Sequence, residues 1–174
     1  RSWYEKYKID QSREKKLSRQ QKLDLLEASE IQMSLINTDF SAFKSRNDLD
    51  LYAIYKPARI VSGDLFDFFF IDKEHLFFSI GDVSGKGIAA AMLMAVSKTL
   101  LKATAFKGLP TDVILAEVNN ILADESPPNM FVTGFYGVLD TRNGSFEYTN
   151  GGHNLPFIIS EQGEVRQIEN IGGM

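Results

Sequence analysis

The residues best able to do chemistry lie in two short stretches, Ser62-Gly63-Asp64-Leu65-Phe66-Asp67 and Gly81-Asp82-Val83-Ser84-Gly85-Lys86-Gly87. They stand at the outer ends of two aromatic runs, 65–71 and 76–80, which read as the strands of a hairpin turning through Asp72-Lys73-Glu74-His75. Antiparallel pairing of those runs brings Asp64 and Asp82 to the same end of the sheet. Carboxylates that converge with no thiol or histidine in either stretch form a hard-oxygen environment. It suits Mg²⁺, Mn²⁺ or Ca²⁺ rather than zinc. Gly81, Gly85 and Gly87 let the main chain turn sharply and offer carbonyls or amides to a ligand. A helix starting directly after Gly87 can turn its first amides toward a phosphate.

A plainer reading stands beside this one. Gly-Asp and Ser-Gly are ordinary turn pairs, and Asp82 or Ser84 can simply cap a helix that begins near Lys86. The meeting of both stretches at one sheet end weighs against mere turns. A P-loop is excluded: it needs about four residues between its first glycine and Gly-Lys, then Ser or Thr. Here Gly87 follows Lys86, and the spacing from Gly81 to Gly85 is one residue short. His153, in Gly151-Gly152-His153-Asn154, has two readings, a structural hydrogen-bonding role and direct chemistry. Thr133 and Asn154 can face the same place. His75 is expected in a solvated turn, and Lys86 reads as a solvated lysine that can attract phosphate. The phenylalanines of 66–70 and the run Met92-Leu93-Met94 read as core.

Composition narrows the classes. The chain has 174 residues, enough for one domain and an appendage with a sizeable core. Cysteine is absent, which removes thiol catalysis, zinc–thiolate sites and disulfides, and two histidines exclude a three-histidine metal site within one chain. Residues 1–22 carry a balance of +5, which leaves −9 for the rest of a chain whose net charge is −4. So acidic a body is a poor binder of nucleic acid. There is no unbroken apolar run of about 18 residues and no signal peptide, so a cytoplasmic setting is expected. The chain begins with Arg1 and is expected to be part of something longer.

Around these residues the elements fall into an order. Residues 1–36 lack Gly and Pro and read as a helical linker, polar at first and amphipathic from Leu23 onward, with no sustained heptad. Trp3, Tyr4 and Tyr7 among Lys and Arg suit a position just inside a membrane; a plain solvated helix accounts for them equally well. Residues 37–174 form the following domain. There, 49–55 alternates and reads as a strand ending at Pro57. Residues 88–105 read as a buried helix, and a second helix runs from a Thr111 or Asp112 cap to about Asp124. Strands follow at 131–139, 145–149, 156–159 and 165–168, with turns at Arg142-Asn143-Gly144 and Gln162-Gly163. Strands, two helices and strands again make an α+β domain with a mostly antiparallel sheet.

Four motifs in order, Ser-Gly-Asp-Leu-Phe-Asp at 62–67, Gly-Asp-Val-Ser-Gly-Lys-Gly at 81–87, Met-Phe-Val-Thr at 130–133 and Gly-Gly-His-Asn-Leu-Pro at 151–156, together resemble one known family. It is the bacterial branch of the metal-dependent (type 2C, PPM) serine/threonine phosphatases, the stage II sporulation protein E and RsbU-like group. The resemblance covers roughly 27–174 and takes in Glu30-Ile31-Gln32. It implies an antiparallel β-sandwich with flanking helices, and two Mn²⁺ or Mg²⁺ ions. It implies further that Asp82 bridges the metals, that the Val83 carbonyl ligates one of them, and that Asp64 holds metal directly or through water. Asp67 is expected to position the loop. Catalysis by metal-activated water would fall to Asp64 and Asp82.

The resemblance also implies a phosphoserine or phosphothreonine substrate on an anti-sigma-factor antagonist, and a leading helix that transmits a signal, often through homodimerisation. The family completes its metal set from a later Ser-Asp-Gly motif and a segment near its C-terminus. This chain ends at Gly172-Gly173-Met174 and contains no Asp-Gly dipeptide. By itself it is expected to bind metal weakly and to turn over little or no substrate. The alternative is a non-catalytic module that only binds its signalling partner.

Overall fold

The structure, a computed structural model, describes residues 18–44 and 46–169. The expected linker helix is present as α1, Arg19–Leu35, and the part assigned to residues 1–17 lies outside the described residues. Ser18 and Gln21 form a reciprocal capping box that satisfies two of its first amides. A 3₁₀ turn, Ser41–Phe43, follows.

Strands β1 (Leu65–Phe70), β2 (His75–Val83), β3 (Val132–Asp140) and β4 (Ser145–Gly151) form one antiparallel sheet in sequence order. Helices α2 (Ile88–Ala105) and α3 (Thr111–Glu125) lie between β2 and β3 in the chain. A separate hairpin, β5 (Phe157–Ile159) with β6 (Val165–Gln167), closes the described fold.

Alternation along the strands divides the sheet into two faces. One carries Leu65, Phe77, Val83 and Tyr136 and is buried with Ala90, Met94 and Leu101 of α2 and Ile114 and Val118 of α3. The other carries Phe68 and Leu76, packed with Phe43 and with Leu49, Leu51 and Ala53. Helix α2 has the length and apolar content of a membrane span, with a mean hydropathy of 1.4, but it packs on the sheet as a core helix.

Two expectations are corrected. Residues 49–55 are not a strand: no ladder forms there among the described residues. Their alternation is nevertheless real, because Leu49, Leu51, Ala53 and Tyr55 turn inward while Tyr52 and Ile54 stay exposed. One face anchors the segment through side chains, so period-2 burial does not require a paired backbone. The start of α3 is likewise not capped by its own Thr111 or Asp112. Pro110 holds the cap position, and the Thr111 amide instead donates to the Glu147 carboxylate of β4. The Thr111 hydroxyl bonds that of Thr149 at 2.8 Å, tying helix to sheet.

Candidate functional site

The register Leu65↔Gly81 extends to put Asp64 beside Asp82, and Asp82 pairs across β2–β3 with Thr133. The three residues therefore form a row on the face opposite the helices. Asp64 precedes the first strand residue and is fixed locally. The Ser62 hydroxyl donates to its carboxylate at 2.8 Å, while the Asp64 amide donates back to that hydroxyl at 3.2 Å. The Tyr55 hydroxyl donates to the Asp64 carbonyl at 3.3 Å. Both aspartates are exposed, on a cleft of about 180 Å³ lined also by Arg59, Ser62, Gly63 and Lys86. The Asp82 carboxyl is held above the ordinary aspartate range, first by partial desolvation and then by the charge of Asp64.

Val83 turns its side chain into the helix-side core and donates its amide to the Gly63 carbonyl. A Cβ on Gly63 would stand 2.9 Å from the Val83 carbonyl oxygen, so only glycine lets the two main chains approach this closely. Two neighbouring carboxylates and the main-chain carbonyl of Val83, which follows Asp82 in the chain, are oxygen donors of the kind that fits Mg²⁺ or Mn²⁺. Among the described residues no cluster of three or more His, Asp or Glu is arranged to hold a metal. The arrangement thus fits one edge of a metal centre.

His153 joins the same row. Its Nδ1 lies 3.1 Å from the Thr133 hydroxyl, which in turn donates to the Asp82 carbonyl at 3.3 Å. The Asn150 side chain clamps the His153 main chain in both directions, donating to its carbonyl at 3.0 Å and accepting from its amide at 2.9 Å. Burial lowers the imidazole pKa, with Asp82 and Asp64 pulling the other way. These bonds give His153 a structural hydrogen-bonding role and put its ring within electrostatic reach of both carboxylates. Thr133 does face the site; Asn154 is exposed.

Three expectations change here. Neither Asp82 nor Ser84 caps α2, whose cap position is Gly87 at φ 79° with no side-chain cap. Ser84 instead clamps residue 131, accepting the Phe131 amide on its hydroxyl and donating its own amide to the Phe131 carbonyl, both at 2.8 Å. Asp67 does not attend the loop. It is 3% exposed on the helix-facing side of β1, where Lys98 Nζ of α2 donates to it at 2.6 Å. His75 is not in free solvent, since its Nδ1 lies 2.7 Å from Asp72 and its Nε2 3.9 Å from Asp140.

Reasoning from sequence missed Lys98, and it placed Gln32 only within the Glu30-Ile31-Gln32 match without assigning it a contact. Gln32 is the only buried residue of α1. It donates to the Ser62 carbonyl at 2.7 Å and accepts the Ser62 amide at 2.9 Å. A polar residue between Ile31 and Met33, and a lysine inside the apolar run of α2, were the available signals.

In its architecture the chain shares the fold of a PP2C phosphatase domain. The SiaA-PP2C domain of Pseudomonas aeruginosa superposes with a TM-score of 0.70 at 17% identity, over 88% of this chain and 62% of that one. Residues 72–174 match the Stage II sporulation protein E (SpoIIE) family, and the chain belongs to that family. It is 31% identical to the phosphoserine phosphatase RsbU of Bacillus subtilis over 78% of its length, and 31% identical to protein IcfG of Synechocystis sp. over 69%. It spans 39% of RsbU and 23% of IcfG.

Proposed function

We propose that the chain is part of a metal-dependent protein serine/threonine phosphatase that removes phosphate from a phosphoserine or phosphothreonine of a signalling protein, of the anti-sigma-factor antagonist class. One observation carries the reading: Asp64 and Asp82 stand side by side at one end of the sheet, with the Asp82 carboxyl raised first by partial desolvation and then by its neighbour's charge. Family membership and the name of RsbU, a phosphoserine phosphatase, support it. Asp64, Asp82 and the Val83 carbonyl would hold the Mg²⁺ or Mn²⁺. When bound, such ions lower the proton affinity of water and screen phosphoryl charge. Water held there would add to phosphorus as the bond to the serine oxygen breaks, and that oxygen would take a proton, giving inorganic phosphate and the free hydroxyl with no phosphorylated side chain in between. Thr133 and His153 brace the row from the β3 side.

A second reading, a non-catalytic module that binds the same class of partner, is favoured by the lack of a third metal-ligating side chain among the described residues. Mn²⁺-dependent hydrolysis of a phosphoserine peptide by the full-length protein, compared with its Asp82→Asn variant, separates the two. Activity lost with Asp82 supports the phosphatase. A folded, inactive wild type that binds no Mn²⁺ supports the module.

A further inference from the structure

Helix α1 meets the domain in an unusual way. Most of its larger apolar side chains stay substantially exposed, Ile31 at 66% and Leu23 at 46%, and the residue it buries is an amide, Gln32, at 5%. Burying an amide costs free energy unless both of its functions are bonded. Here both are, and to the same partner: the Gln32 Nε2 donates to the Ser62 carbonyl and its Oε1 accepts the Ser62 amide. The side chain thus acts on Ser62 as a neighbouring strand would, fixing both of its main-chain polar groups. Ser62 then passes its own hydroxyl to the Asp64 carboxylate and takes the Asp64 amide.

We infer that Gln32 is a positioning residue for Asp64. It holds Ser62 so that the Ser62 hydroxyl fixes the carboxylate in the orientation in which it meets a divalent cation. The inference rests on the proposed role of Asp64 as a cation ligand. Only an amide meets the need. Glutamate offers two acceptors, would leave the Ser62 carbonyl unbonded and would bury a charge; a methionine of similar length bonds neither group. The route is short and local, two hydrogen-bonded steps from a buried side chain to the carboxylate. It reaches the β1 side of the row, whereas Thr133 and His153 brace the Asp82 side.

The test is calorimetric titration of MnCl₂ into the full-length protein, as wild type, Asp64→Asn, Gln32→Met, Ser62→Ala and the helix control Ile31→Ala. Amide exchange at residues 62–64 is followed in parallel. The expected result is a loss of Mn²⁺ affinity of about tenfold in Gln32→Met and Ser62→Ala, equivalent to about 1.4 kcal/mol. Asp64→Asn is to lose more and Ile31→Ala nothing. Exchange at 62–64 is to speed in Gln32→Met while the amides of β2 and β3 keep their protection. If Gln32→Met does not fold, Ser62→Ala decides, because it keeps both main-chain bonds to Gln32 and removes only the link to the carboxylate. Wild-type affinity in both Gln32→Met and Ser62→Ala, with Asp64→Asn weakened, overturns the positioning role. Wild-type affinity in Asp64→Asn overturns the ligand reading of Asp64 itself, and this inference with it.

Discussion

Two aspartates three residues apart, Asp64 and Asp67, meet opposite fates. Asp67 points into the helix side of the sheet, is nearly fully buried and is answered by Lys98 at 2.6 Å, while its other oxygen accepts the Phe68 amide at 3.0 Å. Asp64 lies on the other face, exposed beside a second carboxylate. One step of strand parity separates a carboxylate spent on docking a helix from one left to face a ligand. The difference shows that the Asp-x-x-Asp spacing describes two jobs: a strand alternates faces, so residues three apart cannot serve one site. The pair Asp64 and Asp82, distant in sequence, can.

Breaking the buried half should have the largest effect. Asp67→Ala leaves Lys98 charged and unpaired beneath α2 and is expected to cost about 3–5 kcal/mol in urea unfolding. Asp67→Leu combined with Lys98→Met should recover most of that loss. On the exposed half the order of effects reverses. Asp82→Asn removes a charge that Asp64 repels, so it should raise the urea midpoint of the metal-free protein. Mn²⁺-dependent hydrolysis by the full-length protein should fall at least a hundredfold, about 2.7 kcal/mol on the barrier. An intermediate effect is expected at Ser79, the cross-strand neighbour of Asp67, whose hydroxyl is buried with no partner among the described residues. Ser79→Ala should stabilise by about 1 kcal/mol in the same unfolding assay.

The smallest effect belongs to the turn below the sheet. The amide of Glu74 and the ring and amide of His75 hold the Asp72 carboxyl down at about 2, and Arg142 holds Asp140 below the usual range. A depressed carboxyl pKa favours the folded state while ionised. That stability is whole above about pH 4 and drains away as pH falls through about 2. Urea midpoints of wild type and Asp72→Asn, measured from pH 5 downward, should converge at the acid end, and salt should narrow the gap.

Much of the fold was legible because it rests on periodicity. Helix α2 spans the expected 88–105, α3 ends within a residue of expectation, and the aromatic hairpin pairs so that Asp64 meets Asp82. What escaped has no period. Gln32 bonding Ser62, Glu147 receiving the Thr111 amide and Asn37 donating to the Phe68 carbonyl at 2.6 Å are side-chain-to-main-chain bonds across 30 residues or more. Nothing in the residue types fixes their partners. The segment 49–55 escaped for the reverse reason: its alternation was read correctly, but alternation reports burial and not pairing.

The insertion of α2 and α3 between β2 and β3 has a consequence for how the row is assembled. Asp64 and Asp82 belong to one hairpin and meet across a loop of four residues between β1 and β2. Thr133 comes from β3 and His153 from just past β4, and both reach Asp82 only across the central seam, whose closure spans both helices. Closure entropy rises with the logarithm of loop length. The carboxylate pair is therefore a contact of low sequence separation, and its bracing one of high separation, so the two parts of the row differ in the chain entropy they consume.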